Sequence, residues 1–319
     1  MISNISYPTI NTVPAGNPRP YWSVMIPTYN CAAYLSRALK SVLAQDPGPE
    51  VMQIEVIDDC STEDDPEDVV NSLGRGRVQF YQQPGNVGAP VNFTTCVQRS
   101  TGRWVHILHG DDEVLPGFYQ EYRDIIERHK CSMVVGRSVL TDENNFWRSI
   151  SRALQKKEGL LENAQFLLSI ANETRTPSVV VAREAYEKVG GFHKNLIHCT
   201  DWDMWAKVAA YGPVCYVSRP FTLYREHSTS DTAKLASSGL DITDALQALR
   251  IIVSRFQDPH KKKEVNSLGN MWIGFNSLYQ GLILIREGQV SSALRHIVFS
   301  LRLSPSFLMN WQRFQKLLF

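Results

Sequence analysis

The chain lacks any sizeable excess of either charge. Lys and Arg number 33 against 32 Asp and Glu in 319 residues, which leaves no global electrostatic case for a nucleic-acid partner. Its six cysteines, at 31, 60, 96, 131, 199 and 215, form no Cys-x-x-Cys pair and no metal-ligand spacing; they read as reduced cysteines of a cytosolic protein. No apolar run approaches the roughly 18 to 20 residues of a membrane span. The polar start MISNISYPTINTVPAGNPRP lacks a signal-peptide core. No GxGxxG follows the first strand-like run and no GxxxxGKS/T occurs, so neither a nicotinamide-dinucleotide fold nor a P-loop is supported. A phosphate-bearing ligand would need a metal in place of a glycine cradle.

What the chain does have is alternation. Residues 1–20 are rich in Asn, Pro, Thr and Ser and read as a flexible arm. WSVMIPTYN is a short apolar run ended by Pro27. Asn30 can cap a following helix whose stripe, Leu35, Ala38, Leu39, Val42 and Leu43, has helical period. QIEVID resumes as a continuous apolar strand, DDCSTEDDPEDVV is loop and helix start, RVQFYQQ a third strand, VGAPVNFTTCVQRS a helix and RWVHILH a fourth strand. This order predicts an α/β fold, a parallel sheet with helices on both faces.

Ligands of such sheets bind beyond the carboxyl ends of the strands. Three polar clusters fall at those ends: Pro27 to Asn30, Asp58-Asp59 and Asp111-Asp112. The last is the most demanding. Two adjacent carboxylates after the apolar run 104–108 repel one another, and burying either requires a cation or a set of donors. A hard divalent metal with substrate phosphate in its open positions is one answer. A solvated Gly-Asp-Asp turn is the other, and these residues alone leave both open.

From about Ser23 to about Ser230 the chain resembles a family 2 glycosyltransferase of the GT-A fold. The resemblance rests on an ordered set of motifs: SVMIPTYN, VIDDCSTED, GNVGAPVNF, STGRWVHILHGDDEVLPGF, PSVVVAREAYEKVGGF, TDWDMWAKVA and LYREHSTS. It implies a Rossmann-like, mostly parallel sheet flanked by helices over residues 21–230, with a helical extension over 231–319. It also implies an inverting enzyme that moves a sugar from a nucleoside diphosphate sugar to an acceptor hydroxyl, with Mn²⁺ or Mg²⁺. By the same resemblance, Pro27, Tyr29 and Asp59 line the base and ribose pocket, Asp59 accepts a hydrogen bond from the base, and Asp58 is a structural turn residue. Asp111 falls nearer the ribose and Asp112 becomes the direct metal ligand. Arg225 would face phosphate oxygens, and Asn92, with Asn86, could contact the donor.

Asp201 matches the second position of the family's Glu-Asp motif at a helix start and is expected to be the general base. A plain helix-capping role for Asp201, and Asp203 as a rival base, stay open. Thr200 stands where Glu is more usual. His227 matches a histidine that completes the metal or diphosphate site, and imidazole suits Mn²⁺ better than Mg²⁺. His109 stands where the family has Asp or an Asn-like residue; it could bias donor choice or merely pack. Trp202 and Trp205 are either core or a platform for an acceptor sugar.

After residue 230 two stretches have helical periodicity, with Gly288 a stop between helices. From residue 241 onward ten residues are basic and five acidic. Arg295, Arg302, Arg313 and Lys316, interleaved with Phe299, Leu301, Leu308, Trp311, Leu317 and Phe319, could form a membrane-surface or partner-docking segment; a helical cap on the sheet domain is the plainer alternative. The expected partners are a nucleoside diphosphate sugar, uridine first with guanosine and thymidine open, and a saccharide or lipid-linked acceptor. No nucleic acid is expected, and oligomeric state is open. The setting implied is bacterial polysaccharide or glycolipid synthesis in the cytoplasm, with peripheral contact at the inner membrane face an option. Two rivals are a non-catalytic sugar-nucleotide scaffold, against which the presence of both Asp112 and Asp201 argues, and a nucleotidyltransferase. The latter would show a Gly-rich basic loop after the first strand, and PTYNCAAYLSRA is not one.

Overall fold

A computed structural model describes residues 7–14, 16, 19–228 and 230–303. The chain opens β1 (Trp22–Thr28), α1 (Ala32–Leu43), β2 (Met52–Asp58), α2 (Pro66–Gly74), β3 (Gln79–Gln82), α3 (Ala89–Arg99) and β4 (Trp104–Ile107). It continues with β5 (Glu113–Val114), α4 (Phe118–Arg128), β6 (Met133–Thr141), β7 (Trp147–Ile150), β8 (Gly159–Leu160), α5 (Ala164–Ile170), β9 (Val179–Ala182), α6 (Arg183–Val189), α7 (Thr200–Tyr211) and β10 (Val214–Arg225). Four helices follow: α8 (Asp231–Ser238), α9 (Leu240–Ser254), α10 (Pro259–Arg286) and α11 (Val290–Leu303).

The strands form one sheet in the order β3-β2-β1-β4-β9-β6-β10-β5, with β7 on β6 and β8 on β10. β3, β2, β1 and β4 are mutually parallel. β9 is antiparallel to both β4 and β6, and β10 is parallel to β6, so the principal strands share one direction. The sheet is mostly parallel and flanked by helices, as the alternation predicts. β1 is buried along its whole length, as a strand covered on both faces must be. On α1 the periodic stripe Leu35, Ala38, Leu39 and Val42 is shut off from water, which contributes roughly 2 kcal/mol for each large side chain. His106 of β4 belongs to the same interior. Burial pushes its pKa down to about 4, and its ring bonds to the Pro177 carbonyl at 2.8 Å.

Two sequence expectations change. Asn30 does not cap α1: the N-cap residue is Cys31, without a side-chain bond, and the Ala32 N–H donates to Asp64 Oδ2 at 2.7 Å. Asn30 instead has a φ of 49° and its Oδ1 accepts the N–H groups of Thr62 and Glu63. Residues 7–14, expected to be loose, are tied down. Ile10 is buried, Pro8 O accepts the Gly191 N–H and Asn11 O accepts from Arg183. The expectation for residues 1–6, 15, 17 and 18 lies outside the described residues.

The chain divides into two compact units. One comprises Met1–Ala164, Glu173–Asn195 and Val208–Glu226, and holds the sheet. The other comprises Gln165–Asn172, Leu196–Lys207 and His227–Phe319. In the second unit Trp202 packs on Trp272 at 5.0 Å and donates its indole N–H to Leu168 O; Trp205 is buried as well. Both tryptophans are core. The α8–α9 junction turns at Gly239, φ 78°, and the α10–α11 junction at Gly288, φ 76°. Arg302 lies in the last turn of α11, whereas Arg313, Lys316, Leu308, Trp311, Leu317 and Phe319 lie outside the described residues. Among the described residues no helix is long and apolar enough to cross a membrane.

The turn into β4 depends on a glycine. A Cβ on Gly102 would stand 2.7 Å from both Ser23 N and Trp22 C, which are backbone atoms. Gly102→Ala is therefore expected to cost about 2 kcal/mol, read as an earlier urea midpoint by tryptophan fluorescence. An unchanged midpoint would mean that the β1 edge yields at no cost.

Candidate functional site

The carboxyl ends of β1, β2 and β4 are laced together beyond the strands themselves. Asp59 N donates to Thr28 O at 2.9 Å and Gly110 N to Pro27 O at 3.0 Å. The three polar clusters therefore sit side by side on one edge. Pro27 is buried; its carbonyl faces the 110 turn, and its missing N–H falls past Met25–Ile107, the last β1–β4 pair. Tyr29, just after β1, is exposed.

Asp58 is the structural turn residue expected of it. Its carboxylate accepts from Ser61 N and Oγ and from Gln82. Asp59 is 4 % exposed, and its two oxygens accept the backbone N–H groups of Val87 and Gly88 at 2.8 and 2.9 Å. It thereby orders the GNVG turn that starts α3. Asn92, expected at the donor, is a positioning residue instead. It is buried, donates to Ile57 O and accepts from Gln83, so its amide ties α3 to β2.

Asp112 is 1 % exposed. Its N–H closes a turn onto His109 O at 3.1 Å, and its Oδ1 accepts the Arg225 N–H at 2.9 Å. Among the described residues Oδ2 is buried without a hydrogen-bond partner, an arrangement that costs several kcal/mol for a charged oxygen unless something else compensates. Burial first and the neighbouring Asp111 second push the Asp112 carboxyl well above the ordinary carboxylate range.

His109 Nδ1 lies 3.5 Å from Asp112 Oδ2. One ligand atom from each of His109, Asp111 and Asp112 falls within 4.8 Å of the others. Two carboxylates and an imidazole suit Mn²⁺ or Mg²⁺, and the orphaned buried oxygen fits a cation. His109 is thus the residue that sequence reasoning left without a part in the metal site; the His-x-Asp-Asp spacing was its signal.

Arg225 corrects another expectation. Its side chain is shut off from solvent, so it does not face a phosphate. Its guanidinium donates to Asp111 O at 2.9 Å, Glu113 Oε1 at 2.7 Å, the carbonyls of Asp142 and Glu143 and Asn145 Oδ1. The planar fork is spent on holding the acidic turn against the loop after β6.

Asp201 and His227 belong to the second unit. At the start of α7, Asp201 Oδ1 accepts the Trp202 N–H at 2.6 Å and the Asn172 amide at 3.1 Å. The residues leading into that helix are clasped by Asp244 of α9, which takes the N–H groups of Ile197, His198 and Cys199. Asp203 is buried and paired with Arg255. His227 O accepts the Ser230 N–H ahead of α8. The metal-type cluster among the described residues is His109, Asp111 and Asp112.

The profile of Glycosyl transferase family 2 matches residues 23–190. An uncharacterized protein of Mycobacterium tuberculosis is 26 % identical over 82 % of this chain and 84 % of its own length. An uncharacterized glycosyltransferase of Rickettsia felis is 24 % identical over 68 % of this chain; the chain spans 36 % of that protein and 35 % of its counterpart in Rickettsia conorii. Among solved structures, Staphylococcus aureus TarS 1-349 in complex with UDP-GlcNAc superposes with a TM-score of 0.62 at 15 % identity, covering 89 % of this chain and 83 % of that one. The mannosyltransferase PcManGT of Pyrobaculum calidifontis, in complex with GDP-Man and Mn²⁺, gives 0.57 at 14 % identity, covering 96 % and 85 %. At these identities the superpositions speak for the fold.

Replacing Arg225 by Met is expected to lower the unfolding free energy by about 3–5 kcal/mol, the range for breaking a buried ion pair, and to open the 142–145 turn to limited proteolysis. A denaturation curve that overlays the parent's would show that other contacts hold these segments.

Proposed function

The chain belongs to glycosyl transferase family 2, and on that premise we propose that it moves a sugar from a nucleoside diphosphate sugar to an acceptor hydroxyl. The transfer inverts the anomeric carbon and uses Mn²⁺ or Mg²⁺. The observation that carries this reading is the buried Asp112 carboxylate in the turn between β4 and β5, one oxygen held by Arg225 N–H and the other unsatisfied among the described residues. His109, Asp111 and Asp112 would hold the cation. When bound, the cation supplies Lewis-acid stabilisation of the charge that grows on the leaving diphosphate.

The other residues bind and position. Asp59, fixed by the Val87 and Gly88 amides, reads the donor base, and the exposed Tyr29 just after β1 lines the base and ribose pocket. Pro27 shapes the same edge from within the strand. Asp201 takes the proton of the acceptor hydroxyl as it attacks. Asp203 is set aside as base because burial and Arg255 engage it. The bound molecules of the structural neighbours, UDP-GlcNAc and GDP-Man, support a sugar-nucleotide donor, uridine first. The acceptor is a saccharide or lipid-linked saccharide of bacterial polysaccharide or glycolipid synthesis. Exposed Tyr279, Leu282 and Ile285 on α10, and Leu294, Val298 and Leu301 on α11, with Arg295 and Arg302 among them, support peripheral contact with the inner face of a membrane.

Two isosteric substitutions test the assignment. Asp112→Asn keeps an oxygen for Arg225 N–H but loses the charge, and is expected to abolish metal-supported donor binding by calorimetry. Asp201→Asn is expected to leave that binding intact and to slow transfer by about 10²–10⁴-fold, the usual worth of a positioned base. Parent-like transfer in either variant sinks the assignment of that residue.

A further inference from the structure

We propose that His109 gives an imidazole nitrogen to the divalent cation held by Asp111 and Asp112, and that this nitrogen biases the site toward Mn²⁺ over Mg²⁺. The inference rests on the metal-dependent reading above and deepens it by making the imidazole nitrogen the source of a selectivity between ions. Asp112 Oδ2, on a side chain closed to solvent, takes no hydrogen bond from the described residues, and His109 Nδ1 stands 3.5 Å away. That spacing is too long for a good hydrogen bond. It is close to the roughly 3 Å that separates neighbouring ligands of an octahedral ion whose bonds are about 2.1 Å long.

The ring is also held in place before any ion arrives. Phe93 of α3 stacks on it, centroids 5.1 Å apart at 15°, and is itself braced edge-on by Phe192 at 5.5 Å. The adjacent Asn92 is pinned to Ile57 O, so the stacking partner sits on an anchored helix. On the other side, Gly110 lets the turn close: a Cβ there would stand 2.9 Å from Cys31 Sγ and 3.0 Å from Thr28 Oγ1. The Asp112 N–H bond to His109 O then brings residues 109 and 112 onto one side of the turn. A ligand whose rotamer is already fixed loses little entropy on binding. A nitrogen donor favours Mn²⁺, whereas Mg²⁺ favours an all-oxygen shell.

The experiment uses the full chain with Mn²⁺ as the probe, alone and with UDP, followed by electron spin echo envelope modulation for nitrogen coupling and by calorimetry for affinity. The parent is expected to show ¹⁴N modulation that disappears in His109→Gln and persists in His227→Gln. His109→Asp, which restores an oxygen ligand, is expected to keep Mg²⁺ binding and to lower the Mn²⁺-over-Mg²⁺ preference by at least about tenfold, since loss of even an outer-shell partner costs that much. Mg²⁺ binding by this variant also shows that the turn has folded. Nitrogen modulation that survives in His109→Gln, or vanishes in His227→Gln, overturns the proposal. Mn²⁺ bound to the parent without nitrogen coupling overturns it while leaving metal dependence standing. A parent that binds no Mn²⁺, with or without UDP, overturns both.

Discussion

A carboxylate buried with one oxygen satisfied and one not is the constraint around which the sheet edge is arranged. Asp112 has Arg225 N–H on Oδ1 and, among the described residues, no hydrogen bond on Oδ2. The Arg225 side chain supplies the rest of the support by binding Asp111 O, Glu113 and the 142–145 turn at once. A guanidinium so placed lowers the cost of burying Asp112 beside a second acid, yet Asp112 remains held well above its ordinary carboxyl range. The residual cost is what a cation would remove. Removing the Arg225 side chain would leave Glu113 without its 2.7 Å ion pair, which is the expensive failure of buried ion pairs.

The elements that periodicity encodes were readable from sequence. β1, β2, β4 and the α1 stripe follow from runs of apolar residues and from 3.6-residue spacing, and the clusters at the strand ends follow from where those runs stop. What was not readable depends on partners far away in the chain. Asn30 looked like the cap of α1 because it precedes the helix; the group that bonds Ala32 N–H is Asp64, brought in from 32 positions on. Arg225 looked like a phosphate ligand because the resemblance of LYREHSTS to the family motif implies one. Its acceptors lie 80 to 114 positions earlier, and nothing local to LYREH reports them. Asn92 gave a similar false signal, since an Asn in a loop-helix motif shows neither its burial nor its bond to Ile57. His109 was visible as a departure from the family pattern, but its approach to Asp112 requires the Gly110 turn.

The second unit shows the same logic in the region of the proposed base. Asp244, on a helix beyond the matched family segment, clasps three successive N–H groups just before α7. The C-terminal helices therefore do more than cover apolar surface; they fix the start of the helix that carries Asp201. Asp203, only two residues further along, is committed to Arg255. Two carboxylates on one turn are thus separated into different roles by what each is bonded to.

The most direct test of the central claim is calorimetric titration of the purified full chain with UDP, GDP and dTDP, each in the presence and absence of Mn²⁺. The account predicts saturable binding of one nucleoside diphosphate that depends on the metal. A folded chain that binds none of them, or binds one equally well in chelator, would contradict a cation at Asp112 as the link between this fold and its donor.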